Sequence, residues 1–538
     1  MKHLNPTWLL ILLVLTTGAT FYANARAESR AGPEKPLSFW DEVIRLDTEN
    51  AEAFFQRGKA YKSLGQYRRA IGDYHHAIRL KPAWAEAYYQ RGLAYKQSGE
   101  PQRAIEDYDQ AIRLSPDNAN AYRQRGVARK KLGQYRLAIM DYDLAIALNP
   151  NFAKAYHNRG AAYKKIGDFG RAVEDYTSAI RLDPNDPMFY NNRGVALKNL
   201  KRHLKALEDF NLAVRMDPRN AGFYSNRGNV YAKMGRHAQA IADYNQAIKI
   251  DPENASAYNN RGIVYKNKGD YERAADDYNQ AIRIDPNDAG AFYNRGIANK
   301  NMGKHRLALN DFSNAVRLDP ENAVFHRNRG VAYKNLGKFQ QAIADYSHAI
   351  ALNPDYAKAY NNRGQVYKKT GQFQKALDDY TRAILLEPTY ALYYNNRGVL
   401  YKNLNRPREA ITDLNYAIFL NPKIAAVYLN RGNVFKNFGQ YSRALKDFDQ
   451  AIQIDPKNAR AYNSRGLVYK NLGRPQKAMA DFNMAIHWDP SFAAAYNNRG
   501  AGYVGIGRYD KACDNFQKAC DLGDCSYMIW AKKRGDCP

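Results

Sequence analysis

The chain has 538 residues, of which 45% are hydrophobic and 25% charged, and its formal net charge is +28. One globular core cannot serve so long a chain. Its aromatics, which include 42 Tyr, exclude a disordered chain despite the charge.

The N-terminus reads as a targeting segment. Lys2 and His3 precede an apolar run from Trp8 to Leu15, and Ala23-Asn24-Ala25 is a small-x-small cleavage site. Residues 1–25 are expected to form a secretory signal peptide cut near Ala25 or Ala27; the alternative is an uncut membrane anchor. The first reading makes the protein periplasmic or secreted, and the second tethers it to the membrane. No other apolar run is long enough to span a bilayer. Residues 26–37 follow as a linker.

From Ala51 to Leu522 a 34-residue unit repeats fourteen times without insertion. Position 8 of each unit is Gly, from Gly58 to Gly500, and positions 20 and 27 are always Ala. Position 32 is Pro in thirteen units, and position 4 is aromatic in all but one, where His326 stands. Position 11 is mostly Tyr, and position 24 is Tyr or Phe except at Leu414. Positions 4, 8 and 11 share one helical stripe and positions 20, 24 and 27 another, which predicts two helices per unit. Glycine near position 15 separates them and Pro at 32 ends the second. One such pair cannot bury its apolar face alone, so the units must stack. Residues 38–50 match the second half of a unit, with Trp40 at position 24 and Val43 at 27, and are expected to cap the start of the array.

This pattern resembles the tetratricopeptide repeat. The resemblance implies an all-α fold: an α-solenoid, a right-handed superhelix of about fourteen helix pairs. It also implies that positions 6, 12 and 13 face a concave groove, and it fixes no function by itself.

Three rows repeat without being needed for packing. Position 7 is Arg in all fourteen units and position 23 is Asp in thirteen, for example Arg159 with Asp175 and Arg261 with Asp277. Two readings stand: a structural ladder of ion pairs, which is favoured because a partly buried charge is normally paired, or an anion-binding row of arginines. Position 6 carries an amide in thirteen units, among them Asn158, Asn192, Asn226, Asn260, Asn294, Asn328, Asn362, Asn396 and Asn430. This row resembles the asparagine ladder in the tetratricopeptide superhelix of O-GlcNAc transferases, which holds extended peptide. No transferase domain follows here; binding use of the row is favoured over the alternative, drift from one duplicated ancestral unit. Position 12 is Lys in twelve units, including Lys164, Lys198, Lys266, Lys300, Lys334, Lys368, Lys402 and Lys436. The Arg and Asp rows nearly cancel, so much of the net charge lies on this lysine row. The carboxylate clamps of chaperone-binding tetratricopeptide domains also use groove Asn and Lys, but no single unit differs enough here to mark one clamp.

Residues 523–538 are expected to form a last capping helix, about Ser526–Arg534, fastened by the four cysteines. Disulfides fit an exported chain, while the Cys spacing lacks the close pairs of a zinc site. Cys513 and Cys520 are seven residues apart on one helix, roughly 10 Å of rise, too far to bond to each other. An antiparallel cap pairs Cys520 with Cys525 and Cys513 with Cys537.

No phosphate loop, nucleophile motif or metal-spaced His pair is present, and His75, His76 and His203 are scattered. An enzyme is therefore not expected, and neither is a cofactor. The expected partner is a protein or peptide, extended and acidic. Competing readings are an envelope scaffold that recruits partners through its convex face, and a binder of an anionic polysaccharide or nucleic acid. Nucleic acid is disfavoured because the tyrosines sit at packing positions and export removes the usual partner.

Overall fold

A computed structural model describes residues 35–537; the expected signal peptide and nearly all of the expected linker lie outside the described residues. The described residues form thirty helices and no strand. The first helix of a repeat runs over 13 residues, as in Ala153–Lys165, and the second over 14, as in Phe169–Leu182. Several starts are fixed by Asn caps. The Oδ1 atoms of Asn50, Asn118, Asn254 and Asn458 each accept the N–H three residues on, at 3.0 to 3.1 Å. The turn between helices needs a left-handed residue at position 15, with φ +72° at Gly65. Lys201 and Asn405 hold the same turn at φ 60° and 56°.

The chain divides into two compact bodies, one ending at Lys268 and one starting at Gly269. Each is a length of α-solenoid in which helices pack on their neighbours in sequence. Inside a repeat the two helices touch at position 8. A Cβ there would stand 2.6 Å from the Phe312 ring at Gly296 and 2.5 Å from the Phe516 ring at Gly500, so only glycine fits. The Ala residues at 20 and 27 are buried throughout, and so is the ring at position 24.

Those rings are not equivalent. The hydroxyls of Tyr74, Tyr108, Tyr142, Tyr176, Tyr278, Tyr346 and Tyr380 are buried without a hydrogen-bond partner. Tyr244 instead donates to Asn229 Oδ1 at 2.8 Å. Other repeats carry Phe210, Phe312, Phe448, Phe482 or Phe516 at this place. An unpaired buried hydroxyl costs about 1–3 kcal/mol. Tyr176→Phe should therefore leave stability unchanged or raise it by about 1 kcal/mol, while Tyr244→Phe should lower it by about 1 kcal/mol. Urea midpoints of the two variants check the contrast.

Both ends are covered. In the first body the helix Leu37–Leu46 buries Trp40 and Val43 beside Ala53. In the second the helix Ser526–Lys533 buries Met528 and Ala531 on Ala512 and Phe516. The disulfides are Cys513–Cys537 and Cys520–Cys525, the pairing an antiparallel cap predicts.

Candidate functional site

Position 7 points from the first helix toward the second helices. Arg159 donates through Nε to Asp175 Oδ2 at 2.9 Å and through Nη2 to Oδ1 at 2.7 Å. Its Nη1 reaches back to Asp143 of the preceding repeat at 2.6 Å, and the guanidinium lies 5.5 Å from the Tyr156 ring centre. The same three-way clamp recurs with Asp, Asn, Ser or Thr as the backward partner, as in Arg227 with Asp243 and Asn211. Burial pushes the Asp175 carboxyl up and the Arg159 bonds pull it down. Burial also works against the Arg159 charge, but its bonds to Asp175 and Asp143 outweigh it and hold Arg159 above its ordinary value. Both groups of so close a bidentate pair stay ionised at neutral pH. Where all three bonds form, as at Arg159 and Arg227, the guanidinium has no free edge left for a ligand. Of the other named pair, Arg261 falls in the first body, with its Nη1 on Asn245, and Asp277 is a buried residue of the second.

Positions 6 and 12 meet on a different face. Lys62 Nζ donates to Gln90 Oε1, Lys96 to Gln124 at 2.7 Å and Lys164 to Asn192 Oδ1 at 3.3 Å. Each of these bonds runs from position 12 of one repeat to position 6 of the next, so in these repeats of the first body the lysine and amide rows form one surface. The amides are less free than their spacing implies. Asn226 donates through Nδ2 to Asn191 Oδ1 at 2.9 Å, and Asn396 and Asn430 do the same to Asn361 and Asn395. Asn192 Nδ2 lies 2.9 Å from His157 Nε2. In these repeats one N–H of the position 6 amide ties neighbouring first helices together, which leaves one N–H and the carbonyl. Asn328 is withdrawn further. It is 2% exposed and donates to the Val324 carbonyl at 2.8 Å. Asn158, Asn260, Asn294 and Asn362 are half-buried on the same helices.

Every lysine named from position 12 is half-buried. Burial lowers the ammonium of Lys164, Lys198, Lys266, Lys300, Lys334, Lys368, Lys402 and Lys436 below its ordinary value. Neighbouring cations add to this: Lys165, Lys130 and Lys198 at Lys164, and Lys402 at both Lys368 and Lys436. No counter-charge stands on their own helices. From Ala119–Lys131 to Ala493–Val504 the first helices contain no Asp or Glu. The acids lie in second helices and turns.

Two arginines on this face escape a reading by fixed positions. Arg123 and Arg327 occupy position 5, whose residue type changes from repeat to repeat. Each has a buried Nε without a partner. Arg123 adds to the burial that depresses Lys96, and Arg327 does so at Lys300 and Lys334. Beyond Arg327 a cavity of about 800 Å³ is lined by Lys334, Lys368, Lys369, Gln365, Asn396 and His305 among others, with no carboxylate. The array is therefore not uniform: Arg123 in the first body and Arg327 in the second add a cation beside the lysine row.

Among the described residues no cluster of His, Cys, Asp and Glu could hold a metal ion, and no helix is long and apolar enough to cross a membrane.

Paired helices at a constant period, with a small-residue seam and a polar first-helix face, define an α-helical repeat scaffold. Family profiles agree. Tetratricopeptide repeat profiles match residues 85–118, 153–186, 255–288 and 357–390, then 176–208 and 277–310, then 391–424 and 459–492. A TPR repeat profile matches 58–99, 128–167, 228–269, 335–371 and 438–473. The chain belongs to the tetratricopeptide repeat family, whose fold is typically a non-catalytic scaffold for protein–protein interaction. No curated protein matches the sequence as a relative. Among solved structures, the chain is similar to the APC/C hetero-tetramer Cut9–Hcn1, at 17% identity over 84% of this chain and 96% of that one, TM-score 0.44. It is similar to MamA protein at 26% identity over 32% and 96%, TM-score 0.30. It is also similar to YrrB, described as a TPR protein with an unusual peptide-binding site, at 24% identity over 34% and 95%, TM-score 0.28.

Proposed function

We propose that this protein is an exported scaffold whose first-helix face holds an extended, acidic polypeptide. The observation that carries the reading is the charge segregation: half-buried lysines in successive repeats, joined by Arg123 and Arg327, on first helices without a carboxylate. Export rests on the N-terminal segment and agrees with the disulfide-fastened cap.

Magnitudes set how the face works. An amide bond to peptide backbone nets about 0.5–1.5 kcal/mol, while ordering one ligand residue costs about 1–2 kcal/mol. Amides alone therefore give little, the more so because several already tie helices together. The cations supply the surplus. Burial has removed part of their hydration, so an incoming carboxylate restores a partner at low desolvation cost. Their lowered pKa sets a pH limit as well. Affinity should fall as pH rises through values below the ordinary lysine range, because the lysines lose their protons there.

The test uses fluorescence anisotropy of a labelled oligoglutamate long enough to span four repeats. Wild type should bind it, with affinity falling steeply as salt rises. A variant with Lys300, Arg327, Lys334 and Lys368 all replaced by Ala should lose roughly 1 kcal/mol per cation, on the order of a thousandfold. Equal affinity in wild type and variant would sink the proposal. So would tighter binding of a mixed-sequence oligonucleotide or a sulfated polysaccharide than of oligoglutamate.

A further inference from the structure

The repeats show by comparison what one of them lacks. In eleven of fourteen repeats position 11 is a Tyr or Phe. That ring lies against the position 7 guanidinium: Tyr367 is 5.8 Å from Arg363, Tyr401 is 5.9 Å from Arg397 and Tyr469 is 5.9 Å from Arg465. The same guanidiniums meet the position 4 ring as well, Tyr360 at 5.6 Å and Tyr462 at 5.5 Å. The arginine is thus held between two rings. A residue at position 19 often closes the outer side of the ring, as Lys375 does over Tyr367 at 5.6 Å.

Three repeats have no ring at position 11. Arg129 fills the place by bonding both Asp141 oxygens at 3.0 Å. Leu197 fills it by packing with Leu207, Phe210 and Val230. Asn299 does not fill it. Its Nδ2 donates to Asp311 Oδ2 at 2.8 Å, and beside its short side chain lies a cavity of about 560 Å³. The lining includes Arg295, Asn299, Leu307 and Asp311, which are positions 7, 11, 19 and 23, together with Glu272 and Asp276 of the preceding second helix and Lys304, so the cavity takes in the site of the missing ring and extends beyond it. Arg295 is pinned by Asp311 at 2.6 and 3.0 Å and by Asn279 at 2.8 Å. Phe292 covers it from one side at 5.4 Å. All of these groups belong to the second body.

We infer that this cavity is a docking pocket for one aromatic side chain, Tyr or Phe, of a partner polypeptide. The ring would lie on Arg295 where other repeats place their own. The guanidinium is fixed before binding, so nothing needs ordering on the protein side. A cation faces the electron-rich ring, and Leu307 supplies apolar contact at the rim. The cavity is larger than one aromatic side chain, so the ring would occupy only the part of it beside Arg295. The pocket lies on the second-helix side of the repeat, away from the lysine row. It therefore adds a single fixed anchor apart from the first-helix face that reads charge.

The probe is 4-fluorophenol, a tyrosine side-chain mimic, followed by fluorine NMR line broadening on the full chain. Wild type should bind it with Kd on the order of 1 mM. Asn299→Tyr refills the place and should abolish the broadening, while Asn299→Ala leaves the cavity open and should keep it. Should Asn299→Tyr fold poorly, Asn299→Leu is the substitute, since Leu197 already packs at that position. Absence of broadening with wild type at tens of mM, or equal broadening with wild type and the refilled variant, would overturn the inference.

Discussion

Asp175→Ala is expected to destabilise the protein by about 3–5 kcal/mol, because it strands a partly buried guanidinium. Asp175 is 4% exposed and accepts two of the Arg159 bonds. Without it Arg159 keeps only Asp143, whose side chain is 50% exposed, and an exposed partner offsets little of the lost pairing. The loss should be larger than the pair's net contribution, since the residual charge is left desolvated. The last repeat supplies a control. There Asn515 stands at position 23, accepts from Arg499 Nε at 2.8 Å and passes its own Nδ2 to the Lys511 carbonyl at 2.7 Å. Asp175→Asn should therefore fall between wild type and Asp175→Ala. Denaturant midpoints of the three proteins decide the matter. A loss below about 1 kcal/mol for Asp175→Ala would mean that Arg159 is satisfied by water and is open to an anionic ligand.

That ladder was half-legible in the sequence. The pairing of positions 7 and 23 follows from one Arg and one Asp per repeat. The third bond, back to position 25 of the preceding repeat, does not, because Asp143, Asn211 and Ser347 share no residue type, only an acceptor oxygen. The period, the two helices, the glycine seam and both caps were readable because each depends on residue size at fixed spacing. The binding face was readable as a face but not as chemistry. Spacing puts Asn226 in the row, yet its N–H is engaged only because Asn191 stands 35 residues earlier on the adjacent first helix. The variable columns carried the rest. Arg123, Arg327 and Asn299 look like drift in a pattern of regular positions, and their meaning appears only once neighbours across repeats are known. A position that varies on an otherwise constant face is the signal that would have found them.

His157 shows how such a variable position makes one repeat behave differently. It stands at position 5, half-buried, with its ring 5.6 Å from Tyr176 and 4.9 Å from Phe189. Burial, with Lys130 adding to it, lowers its pKa from 6.5 to about 4. The ring is therefore neutral in the folded state, and Nε2 can accept the Asn192 N–H 2.9 Å away. In the unfolded chain it protonates at the ordinary value. Above about pH 6.5 neither state binds a proton there and stability is complete. As pH falls toward about 4 the unfolded state takes up a proton that the folded state refuses, so stability declines. The total is roughly 3 kcal/mol from this one group. The protein's own design for removing it is Tyr293, which occupies the equivalent place. That ring packs 6.0 Å from Phe312 and 5.0 Å from Phe325, and its hydroxyl lies 3.4 Å from Asn328 Nδ2. His157→Tyr should keep both ring contacts and an acceptor for Asn192 while removing the titration. Carboxylates elsewhere titrate over part of the same range, but they are common to both proteins and cancel in the difference. The stability of wild type minus His157→Tyr, measured by urea unfolding at steps between about pH 7 and pH 4, should fall by roughly 3 kcal/mol. A difference that stays flat across that window would mean that His157 titrates at its ordinary value and that the Asn192 bond does not depend on a neutral ring.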